Sequence, residues 1–192
     1  VDAYRSAIDM YRIYSPDARD VRTVEPYLGL ALQEAGDDLA ARPVLEEVSD
    51  FWKGRQSSRY ARCLCALSTL HMKRGEYGQA VSILRQAYMV VEHSPSDQPW
   101  PVKPQVSLLL SRALALNGDR EEALLRAQWA YEHYKRMGHF LTGDASFWLG
   151  KAFVEVKKPE MAESCFIEAR QKWTDLGLEH RLRWLEGRHP RL

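Results

Sequence analysis

Three cysteines and six histidines are the side chains of this 192-residue chain best suited to bind a metal or to act as nucleophile and base. Cys63 and Cys65 are separated by one residue, which places the two thiols about 200° apart around a helix, the wrong geometry for chelating one zinc ion. Cys165 lies far along the chain, the histidines are scattered, and His71 is expected to be a core or groove histidine. We therefore predict no metal site, no cofactor and no enzymatic activity.

The composition narrows the class of protein further. The chain is 45% hydrophobic and 28% charged, which is too apolar for intrinsic disorder. Its 27 basic and 26 acidic residues give a net charge of +1, which disfavours wrapping of nucleic acid. No apolar run approaches the roughly 18 to 20 residues that span a bilayer, so no membrane partner is expected. An odd number of cysteines among apolar neighbours indicates free thiols and a cytoplasmic location.

A repeat organises the chain. Gly36, Gly75 and Gly118 are each followed by an acidic residue and are spaced 39 and 43 residues apart, and Lys157 takes the place of the glycine in a fourth copy. Four sets of residues recur at fixed offsets from these positions. They are Leu28, Leu67, Leu110 and Leu149; Gly29, Ser68, Ser111 and Gly150; Ala41, Ala80, Ala123 and Ala162; and Leu45, Leu84, Ala127 and Phe166.

These offsets predict pairs of antiparallel helices. Apolar or small residues spaced by three and four lie on one face of an α-helix. Glycine at the turn permits the left-handed conformation that ends a helix, and the acidic residue after it can cap the next one. The small residue upstream, at the Gly29 and Gly150 positions, lets the backbones of the two helices approach closely.

The pattern resembles the tetratricopeptide repeat (TPR), at its leucine–small pair, its central alanine and its large position. The period of about 40 residues is longer than the 34 of that motif, and the first-helix tryptophan is absent. The resemblance implies an all-α fold, a right-handed α-solenoid of stacked antiparallel helix pairs.

The repeat also predicts the domain organisation. Residues 1–177 are tandem TPR-like repeats, in which 1–14 is the second helix of a truncated repeat and 20–54, 57–93, 103–137 and 143–176 are full repeats. Residues 178–192 form a capping helix and tail. The arginines there, Arg181 among them, could touch nucleic acid or an acidic partner, but helix-terminal arginines and a solvated tail are the commoner outcome and are expected. The proline-rich segment around Trp100 is a loop, and Trp100 is expected to fold back onto the solenoid.

A partner site is predicted on the concave face, which first helices line in TPR-like architectures. The residues expected to face this groove are Arg62, Cys65, Thr69, Met72, Leu108, Arg112, Phe147 and Lys151. Ala115 and Val154 continue the face by one turn. The lining is apolar with one cation from each of three repeats, which suits a peptide or helix that has apolar anchors and some acidic residues.

The function predicted from these features is a protein–protein interaction scaffold. The alternative is a ligand- or peptide-sensing regulatory domain of a larger signalling or transcription-regulator protein. The two hypotheses differ in what lies upstream of residue 1, since an effector domain there favours the regulator. An apolar face at the exposed end of the solenoid also allows self-association.

Overall fold

The computed structural model describes residues 1–14, 18–54, 58–93 and 102–188. Trp100 and the last four residues of the predicted tail lie outside this part of the chain. The described residues form ten helices and contain no strand. The helices are α1 Asp2–Tyr14, α2 Ala18–Glu34, α3 Asp38–Trp52, α4 Ser58–Lys73, α5 Tyr77–His93, α6 Val102–Asn117, α7 Arg120–Arg136, α8 Thr142–Glu155, α9 Pro159–Asp175 and α10 Glu179–Arg188. Of these helices, none has the combination of length and apolar character needed to cross a membrane.

The chain divides into two compact units, Val1–Val106 and Ser107–Leu192, with the division inside α6. In the first unit α1 packs on α2, α2 on α3, α3 on α4 and α4 on α5, and α2 also packs on α4. In the second unit α8 packs on α7 and on α9, and α10 packs on α9. Leu108 of α6 lies in one core cluster with Tyr134 of α7 and Ala145 of α8. The predicted all-α class of helical repeats is confirmed.

The turns between paired helices have the backbone conformation that the repeat predicts. Gly36, Gly75 and Gly118 have φ values of +85°, +78° and +94°, in the left-handed region. Lys157, which stands in the fourth copy, has a φ of +59° and is the one described non-glycine residue with a positive φ. The same local geometry is therefore imposed at all four turns, although the fourth lacks glycine.

Hydrogen bonds explain why this conformation recurs. In each turn the amide that follows the left-handed residue donates to the carbonyl five residues earlier, as Asp37 does to Leu32 and Lys158 does to Phe153, both over 2.9 Å. This bond satisfies a carbonyl that the helix end would otherwise leave open. The predicted acidic cap is present at Asp37, whose Oδ1 accepts from the Ala40 amide over 3.0 Å. Asp119 makes no such bond.

In two of the hairpins, close approach occurs at the glycine of the first helix. A Cβ placed on Gly29 would lie 2.6 Å from the Leu45 side chain. A Cβ on Gly150 would lie 2.8 Å from the ring of Phe166 and 3.1 Å from the Ala162 carbonyl oxygen. In both hairpins the missing side chain is replaced by the large residue of the second helix, so this pair of positions sets the spacing between the two helices.

Replacing Lys157 with glycine is expected to stabilise the second unit. A residue with a Cβ is disfavoured in the left-handed region by about 1 to 2 kcal/mol, and glycine removes that cost. We expect Lys157→Gly to raise the free energy of unfolding by about 1 kcal/mol in urea denaturation. Lys157→Ala is the matched control, because it removes the charge and keeps the Cβ. An equal gain in both variants would contradict the backbone explanation.

Adding one methyl group at Gly150 is expected to destabilise the second unit. The added methyl group would overlap the Phe166 ring, 2.8 Å away, and the Ala162 carbonyl oxygen at 3.1 Å would have to move by a few tenths of an ångström, so the close packing of the two helices is disturbed. We expect Gly150→Ala to lower the free energy of unfolding by about 1 to 3 kcal/mol, as measured by thermal and urea denaturation. Val154→Ala on the exposed side of the same helix should change it by less than about 0.5 kcal/mol. A neutral Gly150→Ala would contradict the close packing.

Candidate functional site

The eight residues predicted to face a partner lie on three helices. Arg62, Cys65, Thr69 and Met72 are on α4 in the first unit, while Leu108 and Arg112 on α6 and Phe147 and Lys151 on α8 belong to the second. The structure thus distributes the predicted site over both units.

Four of the eight side chains are buried and serve the core. Cys65, Met72, Leu108 and Phe147 have exposed fractions of 3%, 5%, 9% and 2%. The Phe147 ring lies 5.5 Å from that of Phe166 and 5.6 Å from that of Trp173, measured between centroids. These residues can shape the surface from beneath, but their atoms are largely inaccessible to a partner. Direct contact would depend on the other four: Arg62, Thr69, Arg112 and Lys151, all of them half-buried.

Among the predicted residues of the first unit, Arg62 is the one with an unsatisfied hydrogen-bond donor. Its Nε is buried and has no hydrogen-bond partner. Because Nε itself is inaccessible, a partner could meet only the other N–H groups of this half-buried guanidinium. Thr69 is different, because its hydroxyl already donates to the Cys65 carbonyl over 3.1 Å within α4. In the first unit, Arg62 is the stronger candidate for contact with an anion.

In the second unit, α6 and α8 meet through an arginine and a tryptophan. The guanidinium of Arg112 lies over the Trp148 ring at 4.9 Å from its centroid, a cation–π geometry. Lys151, about one turn further along α8, makes no hydrogen bond or ion pair with the described residues. Trp148 and Lys151 lie on one side of α8, and Arg112 lies over Trp148; we call these three residues the α6–α8 face.

Trp148 is absent from the sequence-based prediction, although the sequence carried a signal for it. Asp144, Phe147, Trp148 and Lys151 are spaced by three, four and seven along α8, which places them on one side of that helix. Phe147 turns to the core, and its ring meets that of Trp148 edge-on at 5.4 Å between centroids. Trp148 therefore connects the core to the α6–α8 face.

Arg181 is not the solvated side chain that was expected. It pairs with the carboxylate of Asp144 on α8, and its guanidinium lies 5.9 Å from the centroid of the Trp173 ring on α9. Burial lowers the pKa of the Arg181 guanidinium, but an arginine remains charged at neutral pH. The prediction was wrong because α10 folds onto α9 and brings Arg181 back to α8.

The cysteines are held in environments that suppress thiolate formation. Cys63 and Cys65 are free and buried, and burial raises the pKa of each thiol to about 12. The nearby charge of Arg62 acts in the opposite direction on the pKa of Cys65, and burial outweighs it. Cys165 is half-buried, and its pKa is also raised, first by burial and then by Glu168. Among the described residues, no group of three or more His, Cys, Asp and Glu side chains is arranged to hold a metal ion.

The architecture places the chain among TPR-like helical repeat proteins. The structure of a variant kinesin light chain-like protein from Podosopora anserina, with nearly identical TPR-like repeats, is similar to it. That match has a TM-score of 0.65 and 15% identity, over 92% of this chain and 86% of that one. The structure of Bacillus thuringiensis PlcR with the peptide PapR7 and DNA has a TM-score of 0.74 and 14% identity, over 96% of this chain and 68% of PlcR.

A third similar structure is BtubC from P. vanneervenii, with a TM-score of 0.53 and 17% identity, over 81% of this chain and 58% of that one. No protein-family model matches the chain, and no curated protein matches its sequence. At these identities the likeness establishes the TPR-like fold, while the side chains on the surface of this chain have to be interpreted on their own.

Alkylation should separate the three thiols. At pH 8, iodoacetamide is expected to modify Cys165 faster than Cys63 and Cys65, because those two thiols are more deeply buried and burial raises the pKa of each to about 12, so they form little reactive thiolate. Peptide mapping by mass spectrometry over time measures the three rates. In 6 M guanidinium chloride all three thiols should react at similar rates. Rapid labelling of Cys65 in the folded protein would contradict the burial described above.

Proposed function

We propose that the chain is a scaffold that binds a protein or peptide segment with acidic residues and apolar anchors, and that it has no catalytic role. The observation that carries this proposal is the α6–α8 face, where a guanidinium lies over an indole and a lysine follows about one turn along α8, all three residues half-buried. Half-buried cations attract carboxylates more strongly than fully solvated ones do, because screening by water is weaker. Arg62 offers a second anchor of the same kind in the first unit.

The contrast with other basic residues supports this assignment. Lys73 pairs with Asp38 over 2.7 Å, and Arg120 with Glu155 over 3.4 Å. Lys135 likewise pairs with Glu168 over 3.4 Å. These lysines and arginines are neutralised within the fold, whereas Lys151 has no such carboxylate among the described residues, and the buried Nε of Arg62 has no acceptor there. A partner that supplies carboxylates could form ion pairs with Lys151 and Arg62.

The indole of Trp148 indicates that the partner also carries an apolar side chain. Trp148 presents a large, rigid apolar surface of the type that carries much of the binding energy at protein interfaces. Arginine stacked on tryptophan is pre-organised, because its guanidinium loses less freedom when it forms hydrogen bonds to an anion. A segment with an apolar side chain near an Asp or Glu fits this surface best. The fold agrees with such a role, since the PlcR structure contains a bound peptide.

Charge reversal tests the proposal. The immobilised 192-residue chain, as wild type or Arg62→Glu/Arg112→Glu/Lys151→Glu, is used to capture partners from a lysate of the source organism. We expect the triple variant to lose its specific partner by at least about tenfold, because attraction becomes repulsion. Partners are quantified by mass spectrometry, and circular dichroism confirms that each variant is folded.

The matched control reverses three exposed charges elsewhere: Arg74→Glu/Lys158→Glu/Lys172→Glu. It changes the net charge by the same amount, so only the location differs. Arg62→Glu alone and Arg112→Glu/Lys151→Glu alone then assign the effect to the first or the second unit. Unchanged capture by the folded Arg62/Arg112/Lys151 variant, or equal loss in the control, would contradict the proposed face.

A second candidate function is that of a sensing domain in a larger regulator. It is favoured by one observation: nearly all of this chain matches PlcR, whereas a part of PlcR lies outside the match, and that protein was crystallised with both a peptide and DNA. In this case the same surface would bind a regulatory peptide or small ligand. Finding a DNA-binding domain directly upstream in the full-length protein would favour this function over a scaffold.

A further inference from the structure

A cavity of about 280 Å³ lies in the second unit among α8, α9 and α10. Its lining residues are Asp144, Phe147, Trp148, Trp173, His180 and Arg181. Three of the six are aromatic and three carry polar or ionisable groups. Ligand pockets combine mostly apolar walls with a few convergent polar groups, and their volumes begin near roughly 300 Å³, so this cavity is at the small end of that range.

The aromatic walls are held in fixed positions. The Phe147 ring contacts the rings of both Trp148 and Trp173. Trp173 is 2% exposed, and its indole nitrogen would lie 2.9 Å from a Cβ on Gly143, so α8 and α9 are in close contact there. Trp148 is fixed from the other side by Arg112. A cavity with rigid walls needs little ordering when a ligand enters, which favours affinity.

The chain supplies the cation of this cavity from α10. Arg181 uses Nη1 to pair with Oδ1 of Asp144 while its guanidinium lies near Trp173. A guanidinium has five N–H donors in a planar fork, so one carboxylate does not exhaust its capacity. Pairing with Asp144 holds the group at the wall of the cavity. In this position the guanidinium can donate hydrogen bonds to a second anion, and its side chain needs no further ordering.

We propose that this cavity binds a compact apolar group that bears a carboxylate, of about the size of one amino-acid residue. The apolar part lies against the rings of Phe147, Trp148 and Trp173, and the carboxylate accepts hydrogen bonds from Arg181. The guanidinium is 5.9 Å from the centre of the Trp173 ring. Because the two are this close, the apolar group and the carboxylate have to belong to one small ligand. Neighbouring residues of an extended peptide would not provide both groups, because their side chains point in opposite directions.

Two sources share this chemistry: a free aromatic acid, and the last residue of a peptide. The site goes beyond the proposed function and does not depend on it. Trp148 belongs to both surfaces, but Arg181 is absent from the charge-reversal variant described above, so the two proposals are tested separately. Loss of partner capture concerns Arg62, Arg112 and Lys151, whereas the cavity is tested with small probes alone.

Three probes test the site on the 192-residue chain: N-acetyl-L-phenylalanine, its neutral amide N-acetyl-L-phenylalaninamide, and 3-phenylpropanoate. Titration is followed by the indole N–H signals in two-dimensional NMR, assigned with Trp148→Phe and Trp173→Phe. We expect at least one acid to shift the signals of Trp148 and Trp173 and to bind at least about tenfold more tightly than the amide. Binding of both acids favours a free aromatic acid, and binding of N-acetyl-L-phenylalanine alone favours a peptide end.

Variants of Arg181 complete the test. Arg181→Gln should reduce the affinity for the acids to that for the amide, and Arg181→Lys should give an intermediate value, because it keeps the charge and loses the fork. Arg183→Gln, which removes an exposed arginine of the same helix, should bind as the wild type does. If Arg181→Gln loosens α10, the proposal is judged by comparing the acid affinity of Arg181→Lys with that of Arg183→Gln. Equal affinity for acid and amide, or unchanged acid binding in Arg181→Lys, would overturn the proposal.

Discussion

The close approach of two helices at a single glycine is the constraint on which one hairpin in each unit depends. Gly29 lies under Leu45 in the first unit, and Gly150 lies under Phe166 in the second. This contact fixes the rotation of the first helix about its own axis as well as its distance from the second. Every other side chain of the first helix then has a determined direction. The functional surface is therefore a consequence of the packing at one residue.

Helix α8 illustrates this consequence most fully. Gly150 and Phe147 face the core, and Asp144, Trp148 and Lys151 lie together on the neighbouring side of the helix. Arg112 and Arg181 then approach the same helix from different elements, one over Trp148 and the other onto Asp144. A single helix thus supplies an indole to one cationic group and a carboxylate to another. Both proposals in the second unit depend on that arrangement.

The features that could be predicted from sequence are those with local causes. The left-handed turn follows from glycine spacing, and the repeat offset was strong enough to place Lys157 in the same conformation without a glycine. The buried alanines at the central position follow from helical periodicity in the same way. The surface was less predictable. Trp148 meets Arg112 across 36 residues and Asp144 meets Arg181 across 37, and no spacing rule pairs side chains at that separation. Spacing also defines a face only broadly, which is why Cys65, Met72, Leu108 and Phe147 were chosen although they are buried.

Site-specific photo-crosslinking tests the central claim, that the α6–α8 face contacts the partner, most directly. Val154 is exposed and lies about one turn beyond Lys151 on α8, whereas Ile167 is exposed on α9. A benzophenone amino acid placed at either position should leave the fold intact, because both side chains are already largely in solvent. The account predicts a partner adduct from position 154 that excess untagged chain competes away, and none from position 167. A competable adduct from 167 with none from 154 would contradict it.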